Sequence, residues 1–144
     1  MTTNVADILR KKGKDVYSVA PDAPLTDALK VMADKGAGAL VVLEKGELVG
    51  IISERDFVRQ ISKLGACDMS APVSQFMTRL VYGVSPKQTI GECMALMTDR
   101  HIRHLPVRDG HDLVGIISIG DVVKELIADR DSMIANLENY MFGR

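Results

Sequence analysis

One stretch of this sequence occurs twice, and the duplication limits the possible folds more than any other feature. Residues 48–53 (LVGIIS) recur unchanged as residues 113–118, and most of the surrounding chain aligns at the same offset of 65 residues. Chance does not readily give six identical residues in a row within one chain. The sequence therefore predicts an internal repeat, with two structural units of the same kind.

Each copy of the stretch leads into the pattern Ser-x-x-Asp, formed by Ser53 with Asp56 and by Ser118 with Asp121. A glycine with two β-branched residues is typical of a strand end, and Ser-x-x-Asp before an apolar run is typical of a helix start. The first backbone N–H groups of such a helix are expected to be unpaired and to favour phosphate. A hydroxyl can donate to phosphate oxygens, and a carboxylate can accept from two sugar hydroxyls. Both strand-to-helix corners are therefore candidate sites for a ribose phosphate.

Hydrophobic periodicity predicts the same series of elements in each half: a short helix, a strand, a helix, two strands and a helix. In the first half these elements are residues 5–9, 16–19, 25–36, 40–43, 48–52 and 57–64. A half of about 60 residues is marginal alone, so the halves are expected to pack face to face about a pseudo-twofold axis, with both corners in one cleft. The predicted fold class is α/β (α+β), with two β-α-β-β-α repeats.

The repeat divides the chain into four segments. We predict a first repeat at residues 1–64, a linker at 65–72, a second repeat at 73–128 and a C-terminal helical extension at 129–144. Apolar residues continue at helical spacing through the extension as far as Met141. Because one half cannot cover so long an apolar helix, the extension is expected to pack on the other half or on a second chain.

Composition narrows the class of protein. Apolar residues make up 47% and charged residues 26% of the chain, as in soluble globular proteins. The net charge is −1 and the longest basic run is residues 10–12, so a nucleic-acid surface is not expected. Neither a secretory signal nor an apolar run of about 20 residues is present, which predicts a cytoplasmic protein without a membrane span. Cys67 and Cys93 form no C-x-x-C motif and are expected to be free thiols.

The order of these motifs resembles a known family. The doubled Gly-Ile-Ile-Ser-x-x-Asp pattern, with RHLPV at residues 103–107 one hairpin upstream in the second half, resembles a tandem of cystathionine β-synthase (CBS) domains, the pair called a Bateman module. The resemblance covers residues 5–127. It implies a regulatory module that binds AMP, ADP, ATP, NAD or S-adenosylmethionine in the cleft between the repeats, without a reaction or a catalytic cofactor. It also implies a homodimer in the form of a flat four-domain disc, and a downstream protein partner that the sequence does not name.

The resemblance assigns roles to individual residues. The ribose-binding aspartates fall on Asp56 and Asp121, and the hydroxyls beside the phosphate fall on Ser53 and Ser118. The other residues carried over line the adenine slot, close its apolar wall or supply a cationic phosphate contact. In the first pocket these are Val16, Tyr17, Ser18, Ala39, Leu40, Ile52 and Arg55. In the second pocket they are Val81, Tyr82, Gly83, Arg103, His104, Leu105, Pro106 and Ile117.

The two halves differ at the charged positions. Arg55 has Gly120 as its counterpart, and Arg103 has Gly38. Each half is thus expected to bring its cationic phosphate contact from a different place. The two pockets are predicted to differ in affinity or in ligand.

Other interpretations of the same residues remain open. Ser-x-x-Asp is also the pattern of a helix N-terminal capping box, which is compatible with binding. A zinc site could be assembled from His101, His104, His111 and a cysteine, although the closely paired ligands of most zinc sites are missing. A protein-interaction module without a ligand is a third interpretation. No nucleophile–base pair, phosphate-binding Walker loop or acid–base carboxylate pair can be placed by spacing, so an enzyme is not predicted.

Overall fold

A computed structural model describes residues 3–79 and 81–142 of the chain. The helices are α1 (Val5–Lys12), α2 (Leu25–Lys35), α3 (Glu54–Leu64), α4 (Ile90–Arg100) and α5 (Ile119–Phe142), with a 3₁₀ turn at Val73–Gln75. The strands are β1 (Ser18–Val19), β2 (Ala39–Glu44), β3 (Glu47–Ser53), β4 (His104–Asp109) and β5 (Asp112–Ser118). The order of helices and strands follows the predicted repeat, and the α+β class is confirmed.

Residues 15–82 form one compact unit. Its sheet has the order β1-β2-β3, in which β1 is parallel to β2 and β2 is antiparallel to β3. Helices α2 and α3 and the segment after α3 cover the sheet, because their apolar side chains share a core with β2 and β3. The fully buried members of that core are Leu25, Ala28, Leu40, Val42, Ile52 and Val73.

The second compact unit combines residues 3–14 with residues 83–142. Its sheet contains β4 and β5, which are antiparallel, and the first strand of this repeat is reduced to a single parallel bridge between Val84 and Val107. In the first unit Val41 donates its N–H to the carbonyl oxygen of Tyr17 at 3.1 Å. Pro106 stands at the position of Val41 and has no N–H to donate. The predicted strand at residues 81–84 is therefore shorter than its counterpart.

The compact units do not follow the boundaries of the sequence repeats. Helix α1 begins the first repeat in the sequence but lies in the unit of the second, where the N–H of Val5 donates to the carbonyl oxygen of Gln88 at 2.9 Å. Conversely, the segment after α3 lies in the unit of the first repeat, where Leu25 donates to Ala71 at 2.9 Å. Such long-range pairings leave no local pattern in the sequence. The four predicted segments therefore describe the repeat in the sequence and not the spatial units.

One expectation for the N-terminal helix was wrong. The helix extends to Lys12, beyond the predicted end at residue 9, so its last turn contains the basic run at residues 10–12. The ammonium group of Lys11 lies 3.1 Å from the carboxylate of Glu125, and that of Lys12 lies 2.7 Å from Asp121. Cations in the last turn of a helix also interact favourably with its dipole, which explains why the helix continues through them.

Helix α5 is 24 residues long and continues from the second repeat into the segment that was predicted as a C-terminal helical extension. Its apolar side chains beyond residue 126 are exposed. Near its middle, Asp129 accepts a hydrogen bond from the hydroxyl of Thr3 at 2.7 Å. Within residues 3–79 and 81–142, no helix has both the length and the apolar character that a membrane crossing requires.

Candidate functional site

The first corner is a closed capping box. Strand β3 ends at Ser53 and α3 begins at Glu54, so Ser53 is the N-cap residue. The Oδ2 atom of Asp56 accepts the backbone N–H of Ser53 at 2.8 Å and its hydroxyl at 3.2 Å. Asp56 is only 9% exposed. The structure therefore confirms the capping interpretation of Ser-x-x-Asp at this corner, with a largely buried carboxylate.

The expectation that the first helical N–H groups are unpaired was wrong for the first of them in each corner. The N–H of Glu54 donates to the carbonyl oxygen of Gly38 at 3.1 Å, and that of Ile119 donates to Arg103 at 2.8 Å. In both cases the acceptor is the residue just before the strand that starts the hairpin. This bond ties the helix start to the neighbouring strand and leaves less of the helix terminus for an anion.

The second corner repeats the box and adds a cation. The Oδ2 atom of Asp121 accepts the backbone N–H of Ser118 at 2.8 Å, and the N–H of Asp121 donates to the Ser118 hydroxyl at 3.2 Å. The Nζ atom of Lys12 lies 2.7 Å from the same Oδ2 atom and donates to the carbonyl oxygen of Ile116 at 2.9 Å. Sequence reasoning missed Lys12, because it lies 109 residues from Asp121. The only signal was the basic run at residues 10–12.

The two aspartates differ in charge environment. Burial raises the pKa of Asp56, against the hydrogen bonds from Ser53 and the charge of Arg59, which lower it. Partial burial alone would also raise the pKa of Asp121. There, however, the hydrogen bond and the positive charge of Lys12, with the N–H of Ser118, bring the pKa below its usual value. The two aspartates occupy equivalent positions in the repeats, but their pKa values are shifted in opposite directions.

The second oxygen of each carboxylate distinguishes the corners further. The Oδ1 atom of Asp56 lies 3.5 Å from the hydroxyl of Thr78, which is a weak contact at that distance. At Asp121, the N–H of Ser118 and the Nζ atom of Lys12 both donate to Oδ2, and the Ser118 hydroxyl also interacts with this carboxylate. A carboxylate oxygen has two lone-pair sites, so each Oδ1 atom can still accept a hydroxyl.

The sheet brings several predicted residues of the first pocket to the first corner. Ala39 pairs with Ser53 and Leu40 pairs with Ile52, while Tyr17 accepts from the strand beside them. Leu40 and Ile52 have no exposed surface and belong to the core, so contact with a ligand would need their neighbours to move. The remaining residues predicted for this pocket are partly or largely exposed: Val16, Tyr17, Ser18, Ser53 and Arg55.

The second pocket has the same register. His104 pairs with Ser118 and Leu105 pairs with Ile117. Leu105 and Ile117 are fully buried, as their counterparts are. Pro106 is also buried, and a Cβ atom at Gly83 would lie 3.3 Å from its carbonyl oxygen.

Three further residues predicted for the second pocket lie at its margin or outside its unit. Arg103 is exposed on the turn before β4. Val81 and Tyr82 belong to the other compact unit, so the structure does not assign them to the second corner.

Metal-binding groups do not converge in the described part of the chain. No three His, Cys, Asp or Glu side chains among residues 3–79 and 81–142 lie close enough together to hold a metal ion. Both cysteines are free; Cys93 is buried and Cys67 is partly exposed. The described residues thus offer no preformed zinc site.

The chain belongs to the CBS-domain family. A sequence profile of the CBS domain matches residues 5–63 and again residues 73–128, which together cover most of the chain. The protein therefore contains a pair of CBS domains, as the repeat and its motifs predicted.

Individual relatives agree with this assignment. The mitochondrial CBS domain-containing protein CBSX3 of Arabidopsis thaliana is 35% identical over 151 residues, which cover 99% of this chain and 73% of the relative. A crystal structure of a CBS-domain containing protein from Agrobacterium tumefaciens is 40% identical, with a TM-score of 0.82 over 86% of this chain and 93% of that one. A CBS domain pair in complex with 5′-methylthioadenosine and S-adenosyl-L-methionine has a TM-score of 0.78 over 90% and 99% of the two chains. At 22% identity, that last likeness concerns the fold.

Proposed function

We propose that this protein is a regulatory module that binds an adenosyl ligand, such as AMP, ADP, ATP, NAD or S-adenosylmethionine, at its two corners without catalysing a reaction. Family membership supports the proposal, and a structural relative of the same fold binds 5′-methylthioadenosine and S-adenosyl-L-methionine. Binding would regulate a downstream protein partner. The proposal includes neither nucleic acid nor a membrane as a partner.

The observation that carries the proposal is that the two oxygens of each aspartate carboxylate have different roles, and that this difference is repeated in both corners. One oxygen of the carboxylate is held by the N-cap residue, at 2.8 Å in both corners. This contact fixes the orientation of the carboxylate before a ligand arrives, so less side-chain entropy is lost on binding. The other oxygen keeps capacity to accept a hydroxyl of a ribose ring. Helix capping and sugar binding can therefore be carried out by the same side chain.

Regulation then follows from differential affinity. A ligand shifts a conformational equilibrium only by the difference between its affinities for the two states. An adenosyl ligand that binds one conformation ten times more tightly would favour it by about 1.4 kcal/mol. A partner that recognises only that conformation would respond to the ligand concentration.

Ligand-induced stabilisation tests the proposal. We expect the unfolding temperature to rise with at least one of AMP, ADP, ATP, NAD and S-adenosylmethionine, since a ligand that binds only the folded state stabilises it. Asp56→Ala and Asp121→Ala should reduce that rise. The control is Glu92→Ala, because Glu92 closes an equivalent capping box with Thr89 at the start of α4, away from either corner.

The control separates binding from capping. All three variants lose a capping contact, which costs about 1 kcal/mol of stability without ligand. Only the two corner variants should also lose ligand-induced stabilisation. No stabilisation of the wild type by any of the five compounds would contradict the proposal and favour a protein-interaction module without a ligand. Stabilisation by zinc, removed by a chelator, would favour the zinc-responsive interpretation.

We further propose that the protein is a homodimer in which the exposed stripe of α5 contacts a second copy. The stripe is made of Ile127, Ile134, Leu137 and Met141, which recur at intervals of three, four or seven residues and are 44–71% exposed. It extends past residue 128, where the CBS-domain match ends. The same stripe on two copies is self-complementary, as a twofold interface requires.

Charge favours an antiparallel arrangement of the two α5 helices. Arg130 lies within the stripe, and a parallel pair would place the two Arg130 side chains side by side. An antiparallel pair that crosses at Ile134 would instead place Arg130 of one copy near Glu138 of the other, since both lie four residues from Ile134. The four-domain disc and the cytoplasmic location expected from the sequence stay predictions.

A further inference from the structure

The second corner contains a cation that its sequence pattern does not supply. Lys12, in the last turn of α1, places its Nζ atom 2.7 Å from Oδ2 of Asp121 and 2.9 Å from the carbonyl oxygen of Ile116. Two acceptors fix the position of the ammonium group, and its side chain is only 32% exposed. Lys12 is therefore part of the second corner.

The hydrogen bonds at this pair leave both a donor and an acceptor available. An ammonium group has three N–H donors, and Lys12 uses two of them on acceptors in the described part of the chain. At Asp121, the N–H of Ser118 and the Nζ atom of Lys12 both donate to Oδ2, so Oδ1 keeps a lone-pair site for a further donor. The remaining N–H of Nζ can donate to a phosphate oxygen, while Oδ1 can accept from a sugar hydroxyl. The pair is thus suited to a ligand that carries both a phosphate and hydroxyls.

The opposite charges of Lys12 and Asp121 also affect phosphate binding. Asp121 alone would present a negative charge to an incoming ligand and would repel phosphate. Lys12 neutralises this charge and can attract the phosphate. In the first corner the Thr78 hydroxyl lies 3.5 Å from Oδ1 of Asp56, and the positive charge that acts on this carboxylate is that of Arg59 on α3. The second corner has Gly120 where the first has Arg55, and the cation on its aspartate comes from α1.

We infer that Lys12 is a specificity-determining residue of the second corner, which makes that corner prefer phosphorylated adenosyl ligands over uncharged ones. The inference rests on the proposed function, since it assigns a residue to the same site. The sequence motif alone could not reveal it, because Lys12 comes from a helix that belongs to the other repeat in the sequence. Binding of an anionic ligand at this corner should therefore depend on α1.

The test compares Lys12→Met with Lys11→Met. Both lysines lie in the last turn of α1 and pair with acidic residues of α5, but Lys11 contacts Glu125 and not Asp121. AMP and adenosine are the probes, and their binding is measured by NMR titration in low salt. The amide signal of Gly120 reports the second corner and that of Arg55 reports the first. Lys12→Arg is a conservative variant that retains the positive charge.

We expect Lys12→Met to weaken AMP binding at the second corner about tenfold, as loss of one charge-assisted hydrogen bond does. Adenosine binding should weaken by a smaller factor, so the preference for AMP falls. Lys11→Met should keep the wild-type preference, Lys12→Arg should retain most of it, and binding at the first corner should not change. A purely structural role of Lys12 would weaken both probes equally.

The outcomes distinguish this inference from the proposed function. If the wild type binds AMP but Lys12→Met keeps the same preference for AMP over adenosine, the inference is overturned and the proposed function stands. Equal losses in Lys12→Met and Lys11→Met would also overturn it, because the effect would then belong to α1 as a whole. If the wild type binds neither AMP nor any other adenosyl compound, the proposed function fails and this inference fails with it.

Discussion

A Cβ atom at Gly50 would lie 2.9 Å from the carbonyl oxygen of Thr78. The two residues are close because the strand around Gly50 and the segment around Thr78 exchange hydrogen bonds, from Ile51 to Thr78 at 3.0 Å and back at 2.8 Å. A backbone atom cannot move aside as a flexible side chain can. The glycine in the doubled motif is thus explained by the packing of an adjacent segment, and not by a turn.

This contact predicts that Gly50→Ala destabilises the protein by about 1–3 kcal/mol, as overpacking does in a well-packed interior. Gly91→Ala is the matched control, since a Cβ atom at position 91, in α4, would meet its nearest neighbour at 3.8 Å. Alanine in a helix is favoured over glycine, so the control should be neutral or up to about 1 kcal/mol more stable. Urea unfolding measures both variants. Equal stability of Gly50→Ala and the wild type would contradict the packing explanation.

The opposite pKa shifts of the two aspartates predict opposite pH dependence. Burial raises the pKa of Asp56, so the folded state binds its proton more tightly and the stability contributed by this group decreases as the pH rises past its usual value. The pKa of Asp121 is lowered, because Lys12 and Ser118 outweigh its partial burial. The stability contributed by Asp121 is therefore present above its usual pKa, about 3.9, and is lost as the pH falls below it.

Asparagine substitutions test these opposite changes of stability with pH. Relative to the wild type, Asp56→Asn should gain stability as the pH rises from about 3 to about 6, whereas Asp121→Asn should lose stability over the same range. The measurement is the free energy of unfolding in urea at several pH values. Adding Lys12→Met to Asp121→Asn should change the slope little further, because the pair is already broken. If the free energy of unfolding of both single variants changed with pH in the same way, the opposite pKa shifts of Asp56 and Asp121 would be contradicted.

The sequence predicted those parts of the structure that depend on local chemistry. The strand-to-helix corners follow from Ser-x-x-Asp, and the ends of α2 and α3 follow from Gly36 and Gly65, which adopt the left-handed conformation that glycine allows. The duplication then extended these predictions to the second half. The membership of the CBS-domain family could therefore be recognised from the order of motifs alone.

The sequence could not predict contacts between distant segments. Nothing local indicates that α1 joins the unit of the second repeat, because that depends on the fit between Leu9 and Gly115, where a Cβ atom would come within 2.7 Å. Lys12 at Asp121 is a consequence of the same packing. The expectation of unpaired helix N–H groups failed for a related reason, because Gly38 and Arg103 supply acceptors from another strand.

The two cysteines are predicted to differ strongly in reactivity. Cys93 is fully buried, and its burial, with the charge of Glu92, raises the pKa of the thiol to about 11. Because the thiolate is the reactive form, iodoacetamide at about pH 8 should modify Cys67 first and Cys93 only after unfolding. Mass spectrometry of time points in native buffer and in urea measures this order. Modification of both cysteines at the same rate in the native protein would show that Cys93 is accessible.

The exposed stripe of α5 predicts which substitutions separate the dimer. Ile134→Glu with Leu137→Glu places charges at the centre of the stripe, and burial of unpaired charges opposes association. The expected result is a shift from dimer to monomer in sedimentation equilibrium, with the helical content unchanged because both positions are already exposed. Asn136→Glu is the matched control, since it adds a charge to the same turn but lies outside the stripe.

The antiparallel arrangement adds a further test of the same interface. Arg130→Glu should weaken the dimer, because the carboxylate introduced in one copy would lie near Glu138 of the other, and Glu138→Arg should restore the dimer when both substitutions are present in the same chain. A parallel pair would behave differently, because Arg130→Glu would exchange one like-charge pair for another and Glu138→Arg would not rescue it. A wild type that sediments as a monomer would exclude the interface altogether.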